Sequence, residues 1–221
     1  MSINQALDMK ITIVYDNDVW DQGLQADWGF ACLIEAGNGN RLLFDTGAKG
    51  EILLQNMAKL GLDPRTITGV FISHSHWDHT GGLPALLELN REVAVFLPAS
   101  CPKPPEARQA VSIQGPCQLT PQFGSTGELD GGEQSLVVDT GKGLAVVCGC
   151  AHPGVGVILR AAARFGRVNA LVGGLHGFKD FDLLRDMALV CPCHCTRYKA
   201  ELEQLYPESF ILGGAGKILE V

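Results

Sequence analysis

The hydrophobic and polar positions of this chain alternate between two periods. Residues 10–15 (KITIVY), 29–35 (GFACLIE) and 41–44 (RLLF) are short apolar, β-branched runs bounded by turn residues, and they predict strands. From 50 to 60 the period changes: Ile52, Leu53, Met57 and Leu60 fall on one stripe, as in an amphipathic helix. GVFIS at 69–73 predicts a buried strand, followed by a helix near 82–89 and a strand at 93–97 (VAVFL).

Residues 101–135 break the pattern. They are rich in Pro, Gly, Ser and Gln, and they read as irregular connections around a short strand, forming part of a wall that faces substrate. The second half resumes with a strand at 144–149 and a helix at 154–165. A strand at 168–173, a helix near 180–189, a short apolar segment ending at CPCHC, and a closing helix and strand follow. Strands and helices alternate in both halves, with no internal repeat and no linker long enough to divide the chain. The expectation is one domain over 1–221, of α/β or α+β class, with helices covering sheet faces.

Composition narrows the partners. A formal charge of -7 leaves no basic footprint for nucleic acid or an anionic membrane, so an anionic substrate must be held by a metal or a few local cations. The amino terminus, MSINQALDMK, lacks the features of a signal peptide, and no apolar run reaches membrane-spanning length, which makes the cytoplasm the expected compartment. There the eight cysteines are expected as thiols rather than disulfides.

Six histidines are present, and their positions carry the chemistry. Three of them, with an aspartate, lie in SHSHWDHTGG at 73–82, on a predicted strand-to-helix turn. At a strand end, positions i and i+2 share a face, so His74 and His76 can aim at one point. Packing four titratable groups together without a cation would leave them competing for too few partners, which points to metal. The others, His152 in GCAHPG, His176 in GGLHGF and His194 in PCHCT, also follow apolar strand-like segments.

HxHxDH preceded by FDTG resembles the metallo-β-lactamase fold superfamily. The flanking motifs WGFACLIE, GCAHPG, GGLHGF and PCHCT resemble the branch that includes 7,8-dihydropterin-6-yl-methyl-4-(β-D-ribofuranosyl)aminobenzene 5′-phosphate synthase, a transferase of methanopterin biosynthesis. The resemblance covers nearly the whole chain and implies an α+β fold, the αβ/βα sandwich of two packed mixed sheets flanked by helices. It also implies two divalent metal ions: one held by His74, His76 and His152, the other by Asp78, His79 and His194, with Asp45 orienting ligands from behind. Mixed nitrogen and oxygen donors suit zinc first, with manganese or iron as alternatives.

One slot departs from the pattern. Hydrolases of the superfamily place an aspartate that bridges both metals where this chain has His176, and a neutral imidazole presents only one lone pair. His176 is therefore expected either to bind one metal or to face substrate as a hydrogen-bond or proton donor. With Asp78, it completes the candidate catalytic set. No cysteine falls at a matching ligand position; Cys148, Cys150, Cys191, Cys193 and Cys195 read as small packed side chains, a separate thiolate site being the alternative.

The function implied is that of a metal-dependent enzyme acting on a phosphorylated or diphosphorylated small molecule, with a dihydropterin-methyl diphosphate arylamine transferase as the sharpest form. The alternative is a hydrolase of phosphodiesters, lactones or thioesters. A redox module usually shows an acid where His76 stands, which argues against that class, and a non-catalytic metal-binding role fits an open site less well.

Overall fold

The computed structural model describes residues 9–221. The expectation for the amino terminus falls mainly on residues 1–8, outside the described residues.

The first half contributes β1 (Met9–Tyr15), β2 (Ala31–Ala36), β3 (Arg41–Phe44), α1 (Gly50–Lys59), β4 (Gly69–Phe71), α2 (Trp77–Thr80), α3 (Leu83–Leu89), β5 (Ala94–Pro98) and β6 (Gln109–Ile113). The second half contributes β7 (Cys117–Gln118), β8 (Phe123–Ser125), β9 (Leu136–Asp139), β10 (Leu144–Cys148), α4 (Val155–Ala162), β11 (Val168–Gly174), β12 (Leu189–Cys193) and α5 (Lys199–Leu205). β13 (Ile218–Glu220) then returns to pair with β1 in the first sheet.

Two mixed sheets result, ordered β13-β1-β2-β3-β4-β5-β6 and β12-β11-β10-β9-β8-β7. Their inner faces meet in one core, where Ile11, Ile13, Phe44 and Phe71 of the first sheet oppose Val138, Val147 and Val172 of the second. Phe44 and Phe71 stack with centroids 5.5 Å apart. The outer face of the first sheet is covered by Leu53 and Met57 of α1 and Leu83 and Leu86 of α3. The outer face of the second is covered by Val155 and Ile158 of α4 and Leu202 of α5. The inner strands β1 to β4 and β9 to β12 are buried on both faces because each face meets another layer, which is why they read as largely apolar runs rather than alternating ones. This is the αβ/βα sandwich.

Two stretches differ from the sequence reading. Residues 180–189 form only a 3-10 turn at Phe181–Leu184. Leu184 alone of that turn is buried, and Leu189 is drawn instead into β12, which pairs in parallel with β11 (Ala170↔Leu189, Val172↔Cys191). A one-turn helix with one buried residue cannot compete with a parallel ladder. Residues 101–135 hold three short strands rather than one. β6 is an edge strand with mostly exposed or half-exposed side chains, and β7 forms the opposite edge of the other sheet, so neither shows a buried-strand pattern.

Parallel pairing positions the site. β3, β4 and β5 run parallel, as do β10, β11 and β12, so the loops after β3, β4, β10, β11 and β12 gather along one edge of the sandwich.

Candidate metal centre

The loops at that edge carry every histidine. His74 and His76 follow β4, His79 lies in α2, and His152, His176 and His194 follow β10, β11 and β12. The strand before the cluster ends at Phe71 rather than at Ser73, and His76 is the N-cap of α2. The two histidines therefore converge from a loop, through different ring nitrogens: His74 Nε2 lies 3.0 Å from His76 Nδ1.

Among the described residues, two donor groups without sulfur form, beside two that include Cys150. In the first, His74, His76 and His152 present ligand atoms within 4.8 Å of one another; in the second, Asp78, His79 and His194 do the same. The groups adjoin, with the rings of His74 and His79 4.2 Å apart. The first group opens outward, since His76 and His152 are exposed, whereas His79 and His194 are buried. The structure thus brings the six candidate ligands together, three in each of these groups. His176 belongs to neither set. It is exposed, and its ring centroid stands 5.4 Å from that of His152.

The ring orientations are set from behind. Asp45, fully buried at the end of β3, accepts from Ser73 N through Oδ1, and from Ser73 Oγ and His79 Nδ1 through Oδ2, each at 2.7 Å. Ser73 Oγ is in turn 2.8 Å from His74 Nδ1. With the Nδ1 protons engaged here, Nε2 of both His74 and His79 is left with its lone pair facing the site. Asn17 does the same for His194, whose Nδ1 lies 2.9 Å from Asn17 Oδ1, while Asp16 Oδ1 accepts the His194 backbone N–H at 2.7 Å. Burial, then the neighbouring histidines, push the His74 imidazole far below its usual range. Burial and His79 bring His194 down to about 3, against the pull of Asp78. Burial would lower His79 as well, but Asp45 at hydrogen-bond distance outweighs it and raises the ring. Burial pushes the Asp16 carboxyl up to about 6.

These residues fit divalent metal ions. His194 Nε2 is a buried atom with no hydrogen-bond partner, 3.3 Å from Asp78 Oδ2. A bare imidazole nitrogen enclosed beside a carboxylate is a costly arrangement unless a cation accepts both lone pairs.

Several participants carry no motif. Glu133, fully buried, accepts the backbone N–H groups of Cys150 and Ala151 through Oε1 and of His152 through Oε2, and so fixes the loop that presents His152. Trp28 donates Nε1–H to Asp78 Oδ2 at 2.8 Å and lays its ring edge-on to His194. Cys150 Sγ lies 3.3 Å from His79 Nε2, inside the site, although the sequence pattern assigns it no ligand role. Asn17 and Glu133 sit in turn-rich segments without local signal; Trp28 and Cys150 lie within WGF and GCAH, where proximity to the ligands was the available clue.

A model of the metallo-beta-lactamase superfamily matches residues 29–110, a span holding Asp45 and the HxHxDH cluster. Together with the sandwich and its donor-lined edge, this gives the chain the metallo-β-lactamase fold, with the sequence pattern of that superfamily over residues 29–110. The chain is also similar along its whole length, as a distant homologue, to the 7,8-dihydropterin-6-methyl-4-(beta-D-ribofuranosyl)-aminobenzene-5'-phosphate synthase of Methanocaldococcus jannaschii. The two are 27% identical over an alignment spanning 100% of this chain and 99% of that one. The crystal structure of Tm1679, described as a metal-dependent hydrolase of the beta-lactamase superfamily, superposes with a TM-score of 0.75 at 27% identity, covering 96% of this chain and 99% of the other. The YhfI protein of Bacillus subtilis shares the fold at a TM-score of 0.69 and 13% identity, over 97% of this chain and 100% of that one. No helix among the described residues is long and apolar enough to cross a membrane.

Proposed function

We propose that this chain is a metal-dependent transferase that joins a dihydropterin-methyl group, carried as its diphosphate ester, to the amino nitrogen of a phosphorylated ribofuranosylaminobenzene. The observation that carries the reading is the asymmetry of the donor site within a chain whose full length aligns with the synthase: four donors, His74, Asp78, His79 and His194, are buried and held by neighbouring side chains, and the other side opens to solvent through His76, His152 and His176. His74, His76 and His152 would hold one divalent ion, and Asp78, His79 and His194 the other, zinc suiting the donors best. When bound, such ions supply Lewis acidity toward phosphoryl oxygens.

The residues of the chain supply the rest. His176 stands on the open side next to His152, placed to donate a hydrogen bond to a phosphate oxygen or a proton to the departing diphosphate. Arg197, whose backbone N–H bonds the His176 carbonyl, and Lys179 both lie over the Tyr198 ring, which gives the His176 side of an acidic chain two cations for an anionic substrate. In the reaction the amino nitrogen attacks the methylene carbon, the C–N bond forms as the C–O bond to diphosphate breaks, and the nitrogen loses a proton.

The description of Tm1679 supports hydrolysis as the second reading. Incubating metal-loaded protein with the dihydropterin-methyl diphosphate, with and without the arylamine, separates them. Diphosphate release that requires the arylamine is the expected result. Release at the same rate without it makes the enzyme a hydrolase, and no release in either case removes both substrates from consideration.

A further inference from the structure

If His176 cannot bridge the two metals, the site lacks an anion between its donor groups, and one residue stands in that gap. Cys150 Sγ is 3.3 Å from His79 Nε2 and shares one set of mutually close ligand atoms with His74 and His79, and another with His194 and Cys195. His74 belongs to the first donor group; His79 and His194 belong to the second. Cys150 is the one side chain outside those groups that shares sets with members of both, among the described residues.

We infer that the Cys150 thiolate bridges the two metal ions, taking the role that an aspartate from the neighbouring strand plays in hydrolases of the superfamily. The inference rests on the two-metal reading above. A thiolate sulfur carries several lone pairs and can donate to two cations, where neutral imidazole has one. Nitrogen and sulfur ligands at 2.0 to 2.3 Å from a tetrahedral zinc lie about 3.5 Å apart, close to the separation of His79 Nε2 and Cys150 Sγ. On binding, the S–H bond breaks, its proton leaves to solvent, and two sulfur–metal bonds form.

The surroundings hold Cys150 for this role rather than for packing. Cys32, Cys191 and Cys193 lie in the core between the sheets, Cys101 and Cys148 in the clusters under the helices; Cys150 belongs to none of these. Its backbone N–H, with those of Ala151 and His152, is fixed by the buried Glu133 carboxylate. Gly149 brings this loop against the first cluster so closely that an added Cβ would meet Ser73 Oγ at 2.2 Å and His74 Nδ1 at 3.1 Å. The unpartnered, buried His194 Nε2, in one set with Cys150, independently points to a cation there. Cys195 shares a set only with Cys150 and His194, so it flanks the second group alone. A thiolate in the bridge favours zinc or iron over manganese.

Zinc-edge X-ray absorption of zinc-loaded protein, with zinc content measured on the same samples, tests the bridge. At two zincs per chain, a bridging Cys150 gives one sulfur per zinc at about 2.3 Å. The same count is expected in Cys195→Ser, and no sulfur in Cys150→Ser. Cobalt-loaded protein should likewise show a thiolate-to-metal charge-transfer band in the near ultraviolet, kept in Cys195→Ser and lost in Cys150→Ser while cobalt stays bound. Should Cys150→Ser fail to fold, wild type and Cys195→Ser still decide the matter. A count of one sulfur for every two zincs in Cys195→Ser makes the sulfur terminal and overturns the bridge, as does a band abolished by Cys195→Ser alone. Two bound zincs with nitrogen and oxygen neighbours only overturn the inference and leave the two-metal reading standing; a chain that binds no metal overturns both.

Discussion

Replacing Asp45 with Asn changes one atom and reverses a hydrogen-bond direction at the back of the site. The Asp45 carboxylate accepts three hydrogens, from Ser73 N, Ser73 Oγ and His79 Nδ1. An amide can accept through one oxygen only. If that oxygen keeps the Ser73 backbone bond, the amide nitrogen faces His79 Nδ1, and two donors oppose each other at 2.7 Å in a fully buried place. The relief available to His79 is to move its proton to Nε2, and that removes the lone pair aimed at the second donor group. Two charge-assisted bonds at about 1.5 kcal/mol each amount to about 3 kcal/mol, or about a hundred-fold in metal affinity. Without metal the stability loss should be smaller, because burial pushes the Asp45 carboxyl up, and the amide removes the charge that burial penalises. Zinc competition against a chromophoric chelator reads the affinity, and denaturant unfolding with and without zinc reads the stability. An Asp45→Asn protein that binds two zincs with wild-type affinity refutes the orienting role of Asp45.

Metal analysis of His76→Ala and His194→Ala should show lost occupancy, and full metal content in both would remove the site assignment. Thiol titration of the denatured, unreduced chain should count eight thiols, as all eight cysteines are unpaired in the structure; stable disulfides would contradict it. His176→Ala should keep its metals and lose roughly ten- to a hundred-fold in turnover, the value of one charge-assisted bond in the transition state; loss of metal instead would make His176 a ligand. Glu35 lies between Lys10 and Arg41; burial raises its carboxyl, but these two cations outweigh it and hold the group below its usual range. Its stabilisation is therefore present above the unfolded value of about 4.3 and disappears as pH falls through the lower folded value, so Glu35→Gln should cost up to about 1 kcal/mol at pH 7 and nothing at pH 2 to 3, read by urea unfolding at both.

The sandwich was legible wherever a strand is buried on both faces. KITIVY, RLLF and LAVVC announce β1, β3 and β10 because layers above and below demand apolar side chains at most positions, the polar Lys10 and Arg41 being only half-buried. β6 to β8 were not fully legible, being short, at or near sheet edges, and set among Pro and Gly. β12 was obscured by Pro192 within it, and the apolar residues before it imitated a helix. In the site, the ligands were legible because metal chemistry restricts them to a few residue types in fixed spacing. Asn17 and Glu133 were not: Asn17 acts on a ring 177 positions away, and Glu133 acts on backbone N–H groups, which leave no mark on the sequence that supplies them.

The backbone adds a signal that no side-chain pattern carries. Among the described residues, four non-glycine residues adopt the left-handed conformation: Asp45 at φ 52°, Ala151 at 56°, His176 at 47° and His194 at 44°. Each lies just past a strand, β3, β10, β11 or β12, at the site edge. This conformation costs an L-residue about 1 kcal/mol or more, and glycine would adopt it freely. At Asp45 and His194 the side chain repays that cost by orienting His79 or facing Asp78, and at Ala151 the turn lets Glu133 collect three consecutive N–H groups. His176 has the same strained turn, yet its side chain joins neither donor set and faces solvent. Its ring reaches the Cys195 thiol and stands beside His152 on the open side of the site, so the strained turn is in keeping with the substrate-facing role proposed for His176.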